Sequence, residues 1–440
     1  MVGSGHGPTK DCRYAPVVPA LEFEILEKSP SCHARLGRVT TPHGSFATPA
    51  FMPVGTKATV KGLMPGLVAQ TGSEIILSNT YHLLLRPGPE LIERRGGLHQ
   101  FMRWNGPILT DSGGYQVYSL GDTNKVTDDG VAFKSVVDGS TIHMTPEMSM
   151  DTQHKLGADI IMAFDDCPPS VDPATMSDAR RRMLTTKTGG FKKNYDHDQR
   201  LSESNERTIR WLERCRKFHV DSGRDAAQAL FGIVQGGTDL DRRDWSIDRV
   251  CALDLPGFAI GGVAVGEGFD QIVRVIGHCA PRMPEDKPRY LMGVGYERDL
   301  VTAVRAGVDM FDCVLPTRNG RNSNAFTRTG QIRLKNARFA EDDRPIEEGC
   351  DCAACSPGPL EWVGQGVAGV AAEGGGWFSR SYIRHLFMSD EMLGPLLVSL
   401  HNVRHFQRLM LDIRVAVRDD CWSALAERWP VAAEGVAAEV

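Results

Sequence analysis

The sequence predicts a (β/α)8 barrel with a small cysteine-bearing subdomain. Two observations carry this. Short apolar runs rich in Val, Ile, Phe and Met alternate with segments of helical period, and each run ends in a polar or glycine-bearing turn. The chemically unusual residues then fall at or just beyond the C-terminal ends of those runs, where a barrel gathers them into one mouth. A doubly wound sheet is the alternative, because periodicity alone does not show closure.

The runs follow in order. They begin with "TPAFMPVGT" from Thr48, "EIILSNTYH" from Glu74, "PILTDSGGYQ" from Pro107 and "ADIIMAFDDC" from Ala158. The later ones are "ALFGIVQGG" from Ala229, "GFAIGGVAVGE" from Gly257, "RYLMGVG" from Arg289 and "MFDCVLPTR" from Met310. Amphipathic segments such as "SNERTIRWLERCRKFHV" and "ERDLVTAVRAGV" lie between them. Asn79, Asp111, Asp165, Gln235, Gly261, Gly262, Gly293, Gly295 and Asp312 mark the run ends. Two stretches read as insertions: the polar Thr185–Glu203, which breaks a helical pattern, and the Gly- and Pro-rich Ser356–Gly376.

Composition bounds the function. A hydrophobic share of 41% and a charged share of 24% belong to a soluble globular chain. No apolar run approaches the roughly 18 residues that span a bilayer, and the first residues lack the apolar core of a secretion signal. The expected compartment is the cytoplasm. A net charge of −5 excludes a chain that binds nucleic acid through overall charge, so such binding must rest on local patches. G-x-G-x-x-G is absent after the first run, which argues against a dinucleotide site.

The patterns with chemistry are few. "CDCAAC" places Cys350, Cys352 and Cys355 close enough to hold one tetrahedral metal, with a fourth ligand from His385, His401 or His405. Asp312 is a carboxylate inside an apolar run, costly to bury unless it is paired or working. An adjacent Pro316 is expected to interrupt the turn before any helix starts there. Asp111 and Asp165–Asp166 follow other runs, and paired carboxylates suit chemistry at an anomeric carbon. Asp165, the Gln235 amide and the Gly262 N–H together complement the Watson–Crick edge of guanine. From Thr317 to Arg338 the chain carries Arg318, Arg321, Arg328, Arg333, Lys335 and Arg338 without an acidic residue, a phosphate-contacting bias.

Together, "TPAFMPVGT", "SNTYHLLLRPG", "TDSGGYQ", "AFDDC", "FGIVQGG", "IGGVAVGE", "LMGVG", "MFDCVLPTRNGR", "CDCAAC" and "SRSYIRHLF…LHN" closely resemble the tRNA-guanine transglycosylases of bacterial type. The resemblance runs from about Leu21 to about Arg418. It implies a barrel over residues 21–418 with a zinc subdomain at about 339–415, after a disordered lead (1–20) and before a C-terminal helix or tail (419–440). It implies exchange of guanine at the wobble position of GUN-anticodon tRNAs (those for Asp, Asn, His and Tyr) for 7-aminomethyl-7-deazaguanine, in a homodimer without an organic cofactor.

By motif, Asp312 is the expected nucleophile and Asp111 the general acid/base. Asp111, Ser112, Gly113, Gly114, Tyr115, Asp165, Gln235, Gly262 and Met292 are the expected base-binding residues. Gly293, Val294, Gly295, Tyr296, Glu297, Arg298 and Asp299, with Thr317, Arg318, Asn319, Gly320 and Arg321, are the expected RNA contacts. Cys350, Cys352, Cys355 and His401 are the implied ligands of one structural Zn2+. Val265 stands where eukaryotic members have glycine, which implies that queuine is a poor substrate. Ser323 replaces the usual glycine after "TRxGRN", and Thr185–Glu203 has no counterpart in the compact bacterial pattern. A non-catalytic RNA-binding subunit and a retaining glycosidase on the same barrel are the competing functions.

Overall fold

The computed structural model describes residues 20–116, 125–176, 196–356 and 377–438. All eight runs form parallel strands: β1 (Ala50–Pro53), β2 (Ile76–Ser78), β3 (Ile108–Thr110), β4 (Ile160–Met162), β5 (Ala229–Val234), β6 (Gly257–Ile260), β7 (Arg289–Leu291) and β8 (Met310–Cys313). They neighbour one another in the order β1-β8-β7-β6-β5-β4-β3-β2. A parallel bridge from Val54 to Leu77, with Gly55 N donating to Leu77 O at 2.6 Å, joins β1 back to β2. The sheet is therefore a closed barrel, and the doubly wound alternative is excluded.

Strand alternation sorts the core into two layers. Met52, Leu109, Met162, Phe231, Ile233, Ala259, Tyr290 and Met310 pack together inside the barrel. Their neighbours Phe51, Ile108, Ile161, Leu230, Phe258, Leu291 and Phe311 face the surrounding helices. These helices include α1 (Pro146–Leu156), α2 (His197–Asp221), α3 (Leu240–Cys251), α4 (Phe269–Cys279) and α5 (Glu297–Arg305). After β8 come α6 (Leu315–Arg321), α7 (Arg380–Met388) and α8 (Leu393–Asp419). The N-terminal end of the barrel is floored by an antiparallel sheet of Glu22–Lys28, Arg35–Thr41 and Gly44–Thr48.

Two sequence expectations need correcting. Of the stretch Thr185–Glu203, residues 185–195 lie outside the described residues, but His197–Glu203 are the first turns of α2. Asp196 caps that helix by accepting from Gln199 N at 3.0 Å, and the polarity that looked like an interruption is its solvent face. Pro316 does not prevent a helix either. It occupies the first turn of α6, where its missing N–H has no intrahelical partner to lose. The stretch Ser356–Gly376 lies, after its first residue, outside the described residues.

A third apolar cluster gathers the hairpin Asn324–Thr327/Gly330–Arg333, the three clustered cysteines, α7 and the start of α8. Gly320 of α6 sits so close to α8 that an added Cβ would lie 2.7 Å from Ser399 Cα. Beyond Asp419, the helices Trp422–Arg428 and Ala433–Ala437 complete the described chain. Arg305 of α5 donates to Val436 O and Ala438 O, both at 2.6 Å. No helix among the described residues is long and apolar enough to cross a membrane.

Candidate active site

Asp312 owes its position to strand parity. In β8, Met310 points into the barrel and Phe311 outward, so Asp312 returns to the inside, one layer above Tyr290 of β7, which pairs with Met310. Its Oδ1 accepts from Tyr290 Oη at 2.6 Å and from Gly293 N at 2.8 Å. Oδ2 accepts nothing among the described residues, and the side chain stays partly exposed at the mouth. Burial raises its pKa, and the Tyr290 and Gly293 donors act against that rise. Tyr290 was not legible as a site residue, being one aromatic among core positions.

Asp111 follows β3 and is buried. Its Oδ1 accepts from Thr80 N at 2.8 Å and its Oδ2 from the Asn79 amide. Burial pushes its pKa up to about 7, the Asp312 charge adds to the rise, and the Thr80, Asn79 and Gln116 donors oppose it. Two carboxylates thus share one mouth, with one poised to exchange a proton near neutrality.

The next two aspartates divide their duties. Asp165, after β4, accepts from Gln235 Nε2 at 2.7 Å and from Ser112 Oγ at 3.2 Å. Burial, with the adjacent Asp166 charge, takes its pKa to about 6 against the Gln235 and Ser112 donors. Asp166 turns the other way, into a fork with Arg200 (2.8 and 2.5 Å) and Arg207 (2.6 Å) of α2. Asp165 therefore faces the barrel axis while Asp166 anchors the loop. Gly114 packs directly against Asp165, where an added Cβ would stand 2.6 Å from Asp165 O. Cys167 is buried, and its thiol is pushed up to about 12 chiefly by that burial.

The third wall is the turn after β6. Gly262 has a left-handed φ of +63°, and a Cβ there would collide with Gln235 Oε1 at 2.3 Å. Its buried N–H makes no hydrogen bond among the described residues. Further along, Glu267 accepts from Ala264 N and, at 3.0 Å, from Val265 N, which fixes the buried Val265. Met292 packs against the barrel interior. Tyr115 is 43% exposed at the rim.

The expected RNA-contacting residues are not all on one surface. Gly293 lies beside Asp312 and Tyr296 is exposed before α5, but Val294 is buried under the turn. Gly295 packs against Cys313, so closely that an added Cβ would meet its sulfur at 2.5 Å. Glu297 and Asp299 are turned inward. Glu297 Oε1 faces His405 Nε2 at 2.8 Å, and burial takes the Asp299 pKa to about 6. Arg298 pairs with Glu434 and lies over the Phe269 ring. Thr317 and Gly320 are buried, Gly320 against Ser399 of α8. Arg318 is exposed, and Asn319 and Arg321 are half-buried. Neither arginine forms an ion pair among the described residues, and burial with the nearby Arg318 charge lowers the Arg321 pKa.

Cys350, Cys352, Cys355 and His401 converge as a buried cluster that could hold a metal ion. His401 Nδ1 lies 3.6, 3.6 and 3.3 Å from the three sulfurs. A tetrahedral zinc with ordinary Zn–S and Zn–N bonds separates such atoms by about 3.5 Å. His401 Nε2 faces Phe326 O at 2.8 Å, which leaves Nδ1 free to ligate. His405 is taken by Glu297, and His385 is exposed on α7, so neither joins the cluster.

A profile of the family described as queuine tRNA-ribosyltransferase matches residues 30–189 and 191–433. The chain belongs to that family. It is 47% identical to the queuine tRNA-ribosyltransferase of Symbiobacterium thermophilum over 414 residues, covering 93% of this chain and 92% of that one. The enzyme of Stenotrophomonas maltophilia is 46% identical over 417 residues, 95% and 98% of the two chains. That of Thermus thermophilus is 47% identical over 407 residues, 92% and 93%. The expected resemblance to the transglycosylases is thereby established across most of the chain.

Proposed function

We propose that this chain is a tRNA-guanine transglycosylase, a pentosyltransferase that exchanges the wobble guanine of GUN-anticodon tRNAs for 7-aminomethyl-7-deazaguanine in queuosine synthesis. The observation that carries the reading is the pairing of Asp312, whose Oδ2 accepts nothing among the described residues, and Asp111, with a pKa of about 7, in one barrel mouth.

Asp312 Oδ2 attacks ribose C1′ as the C1′–N9 bond breaks. A covalent aspartyl–RNA ester forms, and the departing guanine takes its proton from Asp111. The incoming base then gives its N9 proton to Asp111 and attacks C1′ from the opposite face, releasing Asp312. Two inversions give net retention. Tyr290 and Gly293 hold the spectator oxygen of Asp312, so the nucleophile need not reorganise. Asp165, Gln235 and the Gly262 N–H receive the guanine edge after the base leaves its stack. Arg318 and Arg321 meet flanking phosphates. Both carboxylates, the base-recognition trio and the arginine helix favour an enzyme over a non-catalytic RNA-binding subunit.

The Cys3His cluster fits one structural zinc, which would brace the hairpin and α8 and supply no step of the exchange. Val265 removes space that the cyclopentenediol of queuine requires, whereas an aminomethyl group fits. The homodimer rests on the family resemblance. The deciding experiment is incorporation of radiolabelled guanine into unmodified GUN-anticodon tRNA, with a covalent RNA adduct on denaturing gels. Sugar hydrolysis without incorporation would return the glycosidase reading.

A further inference from the structure

Arg243 of α3 is fully buried and forms no ion pair among the described residues. A guanidinium in that position is costly unless its donors are satisfied. Here they are satisfied by four main-chain carbonyls. Nε donates to Gly237 O at 2.9 Å, Nη1 to Val234 O at 3.0 Å and Gly261 O at 2.8 Å, and Nη2 to Gly262 O at 3.1 Å. Two of these carbonyls flank Gln235 on the β5 turn, and two belong to the glycine pair on the β6 turn. One planar fork therefore ties together both turns that carry the base-recognition groups.

The geometry of the trans peptide turns this tie into an aiming device. In a trans unit the carbonyl of one residue and the N–H of the next point in opposite directions. With Gly261 O drawn toward Arg243, the Gly262 N–H must point away from α3, and it has no protein acceptor among the described residues. Ser246, one turn further along α3, accepts from Gln235 N at 3.1 Å and fixes the other turn from the same helix face. We infer that Arg243 is a positioning residue that sets base selectivity by aiming the Gly262 N–H at the 6-carbonyl of a purine. The inference rests on the transglycosylase reading above. A lysine would keep the charge but could not span four carbonyls lying on two turns.

The test compares guanine with 2-aminopurine, which keeps the 2-amino group and lacks the 6-carbonyl, as competitors of the exchange reaction. The wild type prefers guanine, and Arg243→Lys is expected to lose about tenfold of that preference through weaker guanine binding alone. Binding of 2-aminopurine and the Kd for tRNA stay within about twofold, readouts that a general loss of structure would move together. Arg243→Ala should recover guanine preference in millimolar guanidinium and not in ammonium. A folded Arg243→Lys chain with wild-type selectivity overturns the inference. Should both variants fail to fold, hydrogen exchange on the wild type decides: guanine must protect the Gly262 N–H more than 2-aminopurine does, and equal protection overturns the idea. Absence of exchange by the wild type would instead sink the reading on which the inference rests.

Discussion

The two ends of this barrel bury the same residue type to opposite effect. At the floor, Asp309 precedes β8 and takes a two-pronged bond from Arg35 (2.9 and 2.7 Å) and another from Arg289 N at 2.7 Å. Asp159 precedes β4 and accepts from the His43 and His99 rings, His43 N and Ile108 N. Burial pushes the Asp159 pKa up, but the His43, His99 and Ile108 donors outweigh it and hold the group well below the usual carboxylate range. At the mouth, Asp111 and Asp165 have fewer donors for a similar burial, and their pKa values rise to about 7 and about 6. What separates a structural from a working carboxylate here is how completely its charge is satisfied, not how deeply it is buried.

The largest expected effect comes from changing one aspartate at each end of β8. Asp312→Asn should lower exchange by at least about 10³-fold and abolish the covalent adduct while the protein stays folded. Asp309→Asn strips the charge from beside Arg35 and should cost about 3–5 kcal/mol of stability, with kcat per folded molecule unchanged. Thermal melts and gel assays on the pair check this. Adduct formation by Asp312→Asn, or a melting loss in that variant equal to Asp309→Asn, breaks the comparison.

These contrasts also show what was legible. The eight strands could be read because parallel strands, covered on both faces, appear as continuous apolar runs, and their ends mark the mouth. Asp312 stood out as a charge within such a run. Asp165 was picked out over Asp166 at the level of motif, but the physical reason was not legible, because Asp166 is turned away by Arg200 and Arg207, more than thirty residues downstream. Arg243 and Tyr290 were missed for a related reason. Their signal lies in where a side chain ends, and an arginine on an amphipathic helix or a tyrosine in an apolar run looks ordinary in one dimension. Pro316 misled because a helix-breaking residue is also a favoured helix starter.

The second test sharpens the contrast through pH. In the proposed exchange Asp111 gives a proton in one half-reaction and takes one in the other, so kcat should peak near pH 7. On the same proposal Asp165 receives the base in its ionised form, so the KM for base should rise as pH falls through about 6, by roughly tenfold at pH 5. Asp159 has a depressed folded pKa, so its contribution to stability is complete above the ordinary carboxylate value of about 4 and is lost only below it. Activity should therefore change across pH 5–8 while the ionisation of Asp159 adds no pH dependence to the melting temperature. A flat kcat over that range refutes the assignment of Asp111.

A smaller effect is expected from the arginines beside the mouth. Arg318→Ala and Arg321→Ala should each weaken tRNA binding and make its salt dependence shallower, by about 0.7 in the log–log slope per lost phosphate contact. The KM for free guanine should hardly move. An equal loss of guanine and tRNA binding would show that these side chains shape the base pocket instead.

The smallest effect concerns Ser323, between the arginine helix and the hairpin that leads to the cysteines. It is fully buried, its φ is +63°, and its Oγ has no hydrogen-bond partner among the described residues. A left-handed conformation costs an L-residue about 1–2 kcal/mol, and an unpartnered buried hydroxyl adds to that. Glycine removes both penalties but loses more backbone freedom on folding, about 0.5–1 kcal/mol. The balance favours Ser323→Gly by about 1 kcal/mol, with exchange activity unchanged because the hydroxyl bonds to nothing in the site. Removing the charge at the floor, as in Asp309→Asn, destabilises, whereas removing the hydroxyl here should stabilise, because only the first has its hydrogen bonds made. Denaturant unfolding of both variants measures the sign directly. A Ser323→Gly chain less stable than wild type would show that the strained turn is held by something other than its dihedral preference.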